Sequence, residues 1–154
     1  MAEHSFNETV PDLPGSHDSA ALGASTAAPL NKNDLGKFVK LAGSENYVLA
    51  AEGNDIEGQL ATVEPDTVND GWAFGAVQVR FKTLLVRHQA GESAIAVGAT
   101  VVVGTPVAIN TALGTAKYPA VKAGAGVLFK WRVKSLMGGA GAAGTVLLIE
   151  PITR

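Results

Sequence analysis

Val77-Gln78-Val79-Arg80-Phe81-Lys82 alternates apolar and polar side chains, with Val77, Val79 and Phe81 on one face and Gln78, Arg80 and Lys82 on the other. A period of two is the signature of a half-buried β-strand, because successive side chains leave a strand on opposite faces. The signal extends outward through residues 72–86, which offer one long strand or two short ones. Asn69-Asp70-Gly71 precedes it as a tight turn, since Asp-Gly readily supplies the positive φ values such turns need.

The same texture continues in both directions. Lys37–Leu41 alternates, and Tyr47–Ala51 reads as its returning strand after the Gly43–Asn46 turn. Ile56–Val63 follows the Gly53-Asn54-Asp55 turn. Ala94–Val103 is apolar and β-branched, Val107–Asn110 resumes after Gly104-Thr105-Pro106, and a short strand is expected near Val121. Leu128–Leu136 alternates again, with Leu128, Lys130, Arg132 and Lys134 on one face, the cations outward, and Phe129, Trp131 and Val133 on the other, facing inward. Thr145–Ile149 closes the chain. Strands at short spacing, broken by Gly and Pro turns, predict an all-β protein: a small β-sandwich or β-barrel-like domain over residues 34–154. Trp72, Phe74, Phe81, Phe129 and Trp131 are expected in its core.

Residues 1–33 read differently. Pro11, Pro14 and Pro29 and many Ser, Thr and Ala surround sparse apolar positions, a composition that buries too little to offset ordering entropy. This segment is expected to be an extended, flexible N-terminal arm, with one weak helical stretch over Asp18–Ala28. Phe6, Val10, Leu13, Leu22 and Leu30 are its candidate contacts with a neighbour.

Charged residues make up only 17% of the 154-residue chain, against an ordinary value of about 25%. A surface poor in charge suits coverage by partners. The charges are segregated. Residues 45–70 hold seven acids and no base, whereas residues 117–134 hold five bases and no acid. Solvated loops of one sign explain this equally well as charge matching between copies of the chain, which sets register more than affinity. A net charge of −2 gives no nucleic-acid footprint. No apolar run approaches the ~18 residues of a membrane span, and no secretory leader is expected.

Catalytic and metal chemistry finds little purchase. The absence of Cys removes disulfides, thiol nucleophiles and Cys-based zinc sites. Gly139–Gly144 fits G-x-G-x-x-G, but a strand follows instead of the helix that a dinucleotide site requires. His4, His17 and His88 form no visible triad, and His88 is expected at the surface. Glu52, Asp55, Glu57, Glu64, Asp66 and Asp70 form an acidic belt whose spacing fits no EF-hand. The cations flanking Trp131 point away from it, unlike a nucleic-acid groove. No catalytic, cofactor or metal residues are therefore assigned, and the chain is read as a non-enzyme.

Gly36–Leu41, Tyr47–Ala50, Gly53–Gly58 and Ala61–Glu64 together resemble the small capsid decoration (cement, head-stabilising) proteins of tailed phages. Ala96–Val102 and Gly104–Val107 are similar to the strand-turn repeats of that group. The resemblance implies a structural virion protein on the capsid exterior that bridges subunits of the major capsid protein. It also implies a homo-oligomer, often a trimer, without cofactor, nucleic-acid or membrane partner. The alternatives are another phage structural module (tail, baseplate or head-fibre attachment) and a carbohydrate-binding β-sandwich using Trp72 or Tyr118 as a stacking platform.

Overall fold

A computed structural model describes residues 17–25, 28–43, 46–64, 73–105 and 119–152. The protein is all-β, and among the described residues ten strands form two closed five-stranded barrels. The strands are β1 (His17–Leu22), β2 (Phe38–Ala42), β3 (Asn46–Leu49), β4 (Gly58–Val63), β5 (Ala73–Gln78), β6 (Leu84–His88), β7 (Thr100–Val103), β8 (Ala120–Ala123), β9 (Trp131–Leu136) and β10 (Val146–Pro151). Among the described residues, one compact unit comprises the chain to Ala50 together with Glu57–Arg80. The other comprises Ala51–Ile56 together with the chain from Phe81.

Two expectations need correction. Instead of one β-rich domain starting at residue 34 there are two units. Within the expected arm, residues 17–22 form β1 rather than a helical stretch. β1 pairs antiparallel with β5 along its whole length and parallel with β3 at Ala21 and Leu22. Small, polar side chains supply weak β-propensity, but ladder bonds on both flanks override it. Leu22 and Leu30, expected to reach a neighbour, instead belong to the core of the first barrel with Val39, Tyr47, Leu60 and Val77. Phe6, Val10 and Leu13 lie outside the described residues, as does the strand expected over Val107–Asn110.

The alternating stretch around Val77 turns out to straddle the unit boundary. β5 ends at Gln78 and β6 begins at Leu84, so the two-strand alternative holds. Gln78 is buried rather than outward-facing.

The barrels share one design. Around the first the order is β1-β3-β2-β4-β5; around the second it is β6-β8-β7-β9-β10. Each contains one parallel pair, its first strand with its third. The registers correspond residue by residue. Leu22 opposes Tyr47 as His88 opposes Val121. Leu41 opposes Tyr47 as Val103 opposes Val121. Gln59 opposes Gln78 as Arg132 opposes Glu150. Both barrels even bulge at the same place, between Leu60 and Thr62 in one and, across the matching pair of strands, at Leu148/Ile149 in the other. A bulge bends a strand and sharpens its twist, which helps a small sheet close.

The entry to the second strand is also repeated. Gly36 and Gly98 have φ of 82° and 87°, in the left-handed region that favours glycine. Gly36 N–H donates to Leu60 O while Leu60 N–H donates to Lys37 O; Gly98 N–H donates to Val133 O while Val133 N–H donates to Ala99 O.

The core of the second barrel gathers Leu84, Val86, Val101, Val121, Trp131, Val133, Leu147 and Ile149. Trp131 is buried as expected, with Arg132 and Lys134 outward. Phe81 meets its ring edge-on at 5.5 Å, a favoured aromatic geometry.

Candidate functional site

Among the described residues of the second unit, the loop between β8 and β9 carries the most exposed apolar side chains. Val127 is 82% exposed, and Leu128 and Phe129 are also open. Phe129 was expected in the core, but β9 begins only at Trp131, so the alternation does not extend back to it.

This loop is held rigidly. The Asp55 carboxylate accepts the backbone N–H of Val127 at 2.7 Å and of Leu128 at 2.8 Å, with Phe129 N–H at 3.5 Å. Charge-assisted bonds of this kind are the stronger class. The turn also needs Gly126: a Cβ there would lie 2.1 Å from Phe129 O. Three consecutive N–H groups thus converge on one carboxylate, while the three side chains point away from it. Just beyond, Trp131 Nε1–H donates to Ile56 O at 3.1 Å.

Neighbouring Glu52 organises a second cluster in the same unit. It accepts from Lys122 Nζ at 2.6 Å, Thr105 Oγ1 at 2.9 Å and Gln89 Nε2 at 3.3 Å. These bonds, led by that from Lys122, hold the Glu52 carboxyl down to about 2, and the Lys122 ammonium is raised in turn by its bond to Glu52.

In the first unit an open groove of about 620 Å³ is lined by Leu41, Tyr47, Thr62, Phe74 and Ala76, with Asp18 and Glu64 among its polar groups. Phe74 and Leu41 are exposed within it; Phe74 faces out of the barrel rather than into the core as expected. Tyr47 Oη donates to Asp18 Oδ2 at 3.0 Å. Burial, reinforced by that bond, pushes the phenol up to about 12. Glu57 Oε2 accepts the N–H of Leu41 at 3.0 Å.

The acidic belt is therefore dispersed over separate tasks: Glu52 binds Lys122, Asp55 binds the β8–β9 loop and Glu57 binds Leu41. No group of three or more potential metal-ligating side chains occurs among the described residues; Asp66 and Asp70 lie outside them. Gly139–Gly141 forms a 3-10 turn leading toward β10 rather than a helix N-terminus. No described helix is long and apolar enough to cross a membrane.

His88 is fully buried, not at the surface. Its Nδ1 lies 3.1 Å from Gly141 O, so it donates there, while buried Nε2 has no hydrogen-bond partner among the described residues. Trp72 and Tyr118, the sugar-stacking candidates, lie outside the described residues.

The presenting role of Asp55 left no local signal, because its partners are more than 70 residues away. Exposure of Phe129 was equally hidden, since a strand period and a loop can share the same short pattern; Leu128 is exposed, on the face where the alternation put it with Lys130. In comparisons with known proteins, no family model matches the chain, and no curated protein or solved structure matches it.

Proposed function

We propose that this chain is a structural virion protein that binds the outside of a phage capsid and stabilises it by bridging coat subunits. Its partner is then the major capsid protein, and its role needs no cofactor or catalytic residue. The resemblance of residues 36–64 and 96–107 to decoration proteins supports the reading.

The observation that carries it is the repeated module with an exposed apolar side chain at the same position in each copy. Leu35 and Val97 stand at the same position, one residue before the left-handed glycine of each barrel, and are 40% and 60% exposed. Further exposed apolar side chains accompany them: Leu49 on the first unit and Met137 on the second. A coat shell offers one surface many times over. A chain carrying two like binding faces gains avidity on such an array without strong individual contacts, provided both faces can engage together.

The test is co-sedimentation of the full chain with phage heads that lack it, followed by counting of bound copies. Saturation at a fixed number of copies over the shell, with a raised head melting temperature, is the expected result. Leu35→Asp and Val97→Asp are each expected to lower avidity by about 10²-fold or more, because either leaves a single attachment. No binding overturns the reading. A handful of copies per particle replaces it with a tail, baseplate or head-fibre module.

A further inference from the structure

The correspondence between the barrels exposes an imbalance. In the first barrel, the connection from its third to its fourth strand runs through Ala51–Ile56, and these residues belong to the second unit. There Gly53 N–H donates to Val103 O at 2.8 Å, Val103 N–H donates to Asn54 O at 3.0 Å, and Ile56 is buried. The matching connection in the second barrel is the β8–β9 loop, whose Val127, Leu128 and Phe129 lie open.

The receiving positions are unequal in the same sense. Val103, which holds Gly53 and Asn54, is 3% exposed; Leu41, its counterpart in the first barrel, is 44% exposed. One loop is seated and its counterpart is not. At the counterpart seat the Leu41 N–H is taken by Glu57 Oε2 at 3.0 Å, while the Leu41 side chain opens on the groove it lines with Tyr47 and Phe74.

We propose that the β8–β9 loop of one copy docks into the Leu41–Phe74 groove of a second copy through the exposed side chains of Val127, Leu128 and Phe129, the N–H groups of the loop and of Leu41 being already bonded to Asp55 and Glu57. Three features favour a second copy as the occupant. The groove, at about 620 Å³, lies within the ~300–1,000 Å³ of sites that enclose a compact apolar group. Its carboxylates, Asp18 and Glu64 with Glu57 beside Leu41, face a loop followed by exposed Lys130, Arg132 and Lys134. Asp55 and Glu150 offset part of that positive charge, Glu150 bonding Arg132 at 2.9 Å. Finally, Asp55 holds the loop backbone in place before docking, which removes much of the ordering cost of association.

Such a contact is heterologous: each copy offers a loop and a groove. Contacts of this type close into a ring when the rotation allows. The inference is independent of the capsid reading and is tested without any shell.

The experiment is analytical ultracentrifugation of the full chain and two variants. Leu128→Asp disables the loop, and Leu41→Asp disables the groove. The wild-type chain is expected to self-associate, less so as salt rises, and each variant at least 10-fold more weakly. An equal mixture of the two variants is expected to form a one-to-one dimer, because each retains the half the other lacks. Unchanged thermal unfolding shows that the variants are folded, and Leu128→Ser and Leu41→Ser replace any that is not. A wild-type chain that stays monomeric, a variant that associates like wild type, or a mixture that gains nothing would each overturn the proposal.

Discussion

Where the first barrel buries Leu22, the second buries His88. Where the first has Gly58 at the start of its fourth strand, the second has Trp131. Where the first pairs two buried glutamines, Gln59 and Gln78, the second pairs Arg132 with Glu150 at 2.9 Å. Topology, register, bulge and the glycine before the second strand nevertheless coincide. Backbone pairing and turn geometry therefore define this module, while its matching positions tolerate very different side chains.

The largest difference between the barrels is expected at Trp131. Trp131→Ala removes its packing against Phe81 and its bond to Ile56 O. It should cost about 3–5 kcal/mol, read as loss of hydrogen-exchange protection in β6–β10. Protection in β1–β5 that falls equally would show that the barrels do not unfold separately.

Leu22→His imposes the second barrel's residue on the first. The imidazole would enter the Leu22 cavity among Val39, Leu60 and Val77. A cost of about 3 kcal/mol is expected from burying a polar ring among apolar neighbours, measured by calorimetry. A neutral result would mean that the first barrel can supply a partner.

The reverse exchange, His88→Leu, should stabilise the second barrel by about 1 kcal/mol, since it removes a buried nitrogen without a partner. Gly141 O keeps the Ile95 N–H at 3.0 Å, so no carbonyl is orphaned. Destabilisation would indicate that the imidazole is held by more than its Gly141 bond.

The smallest effects lie at opposite ends of the pH scale. Tyr47 titrates near 12 in the fold against 10.0 unfolded. Its contribution to the first barrel is whole below pH 10 and falls as pH rises toward 12, because the unfolded chain then releases the proton first. Tyr47→Phe should flatten that alkaline loss. Glu52 titrates near 2 against 4.5. Its contribution to the second unit is whole above pH 4.5 and falls as pH drops toward 2, and Glu52→Gln should flatten that acid loss. Glu52 lies at the surface, so salt should shrink its effect. Thermal melts across both ranges check the two signs.

Class and most strands were legible because alternation and turn residues are local. Lys37–Leu41, Ile56–Val63 and Leu128–Leu136 each mark a strand that forms, shifted by a few residues at its ends. β1 was not legible: its Ser and Ala become a strand only between two partners. Of the candidate contacts, Leu22 and Leu30 went to the core, whereas Leu41, Phe74 and the Val127–Phe129 loop emerged only with the fold.

That this chain is all-β, free of cysteine chemistry, poor in charge and segregated in sign follows from composition and a period of two, which depend only on neighbours along the chain. Only the tertiary structure decided that there are two barrels of one register, that residues 51–56 belong to the second, and which apolar side chains remain outside. Those outcomes rest on pairing between residues far apart in sequence, where closure of a ladder and filling of a core outweigh the preference of any single residue.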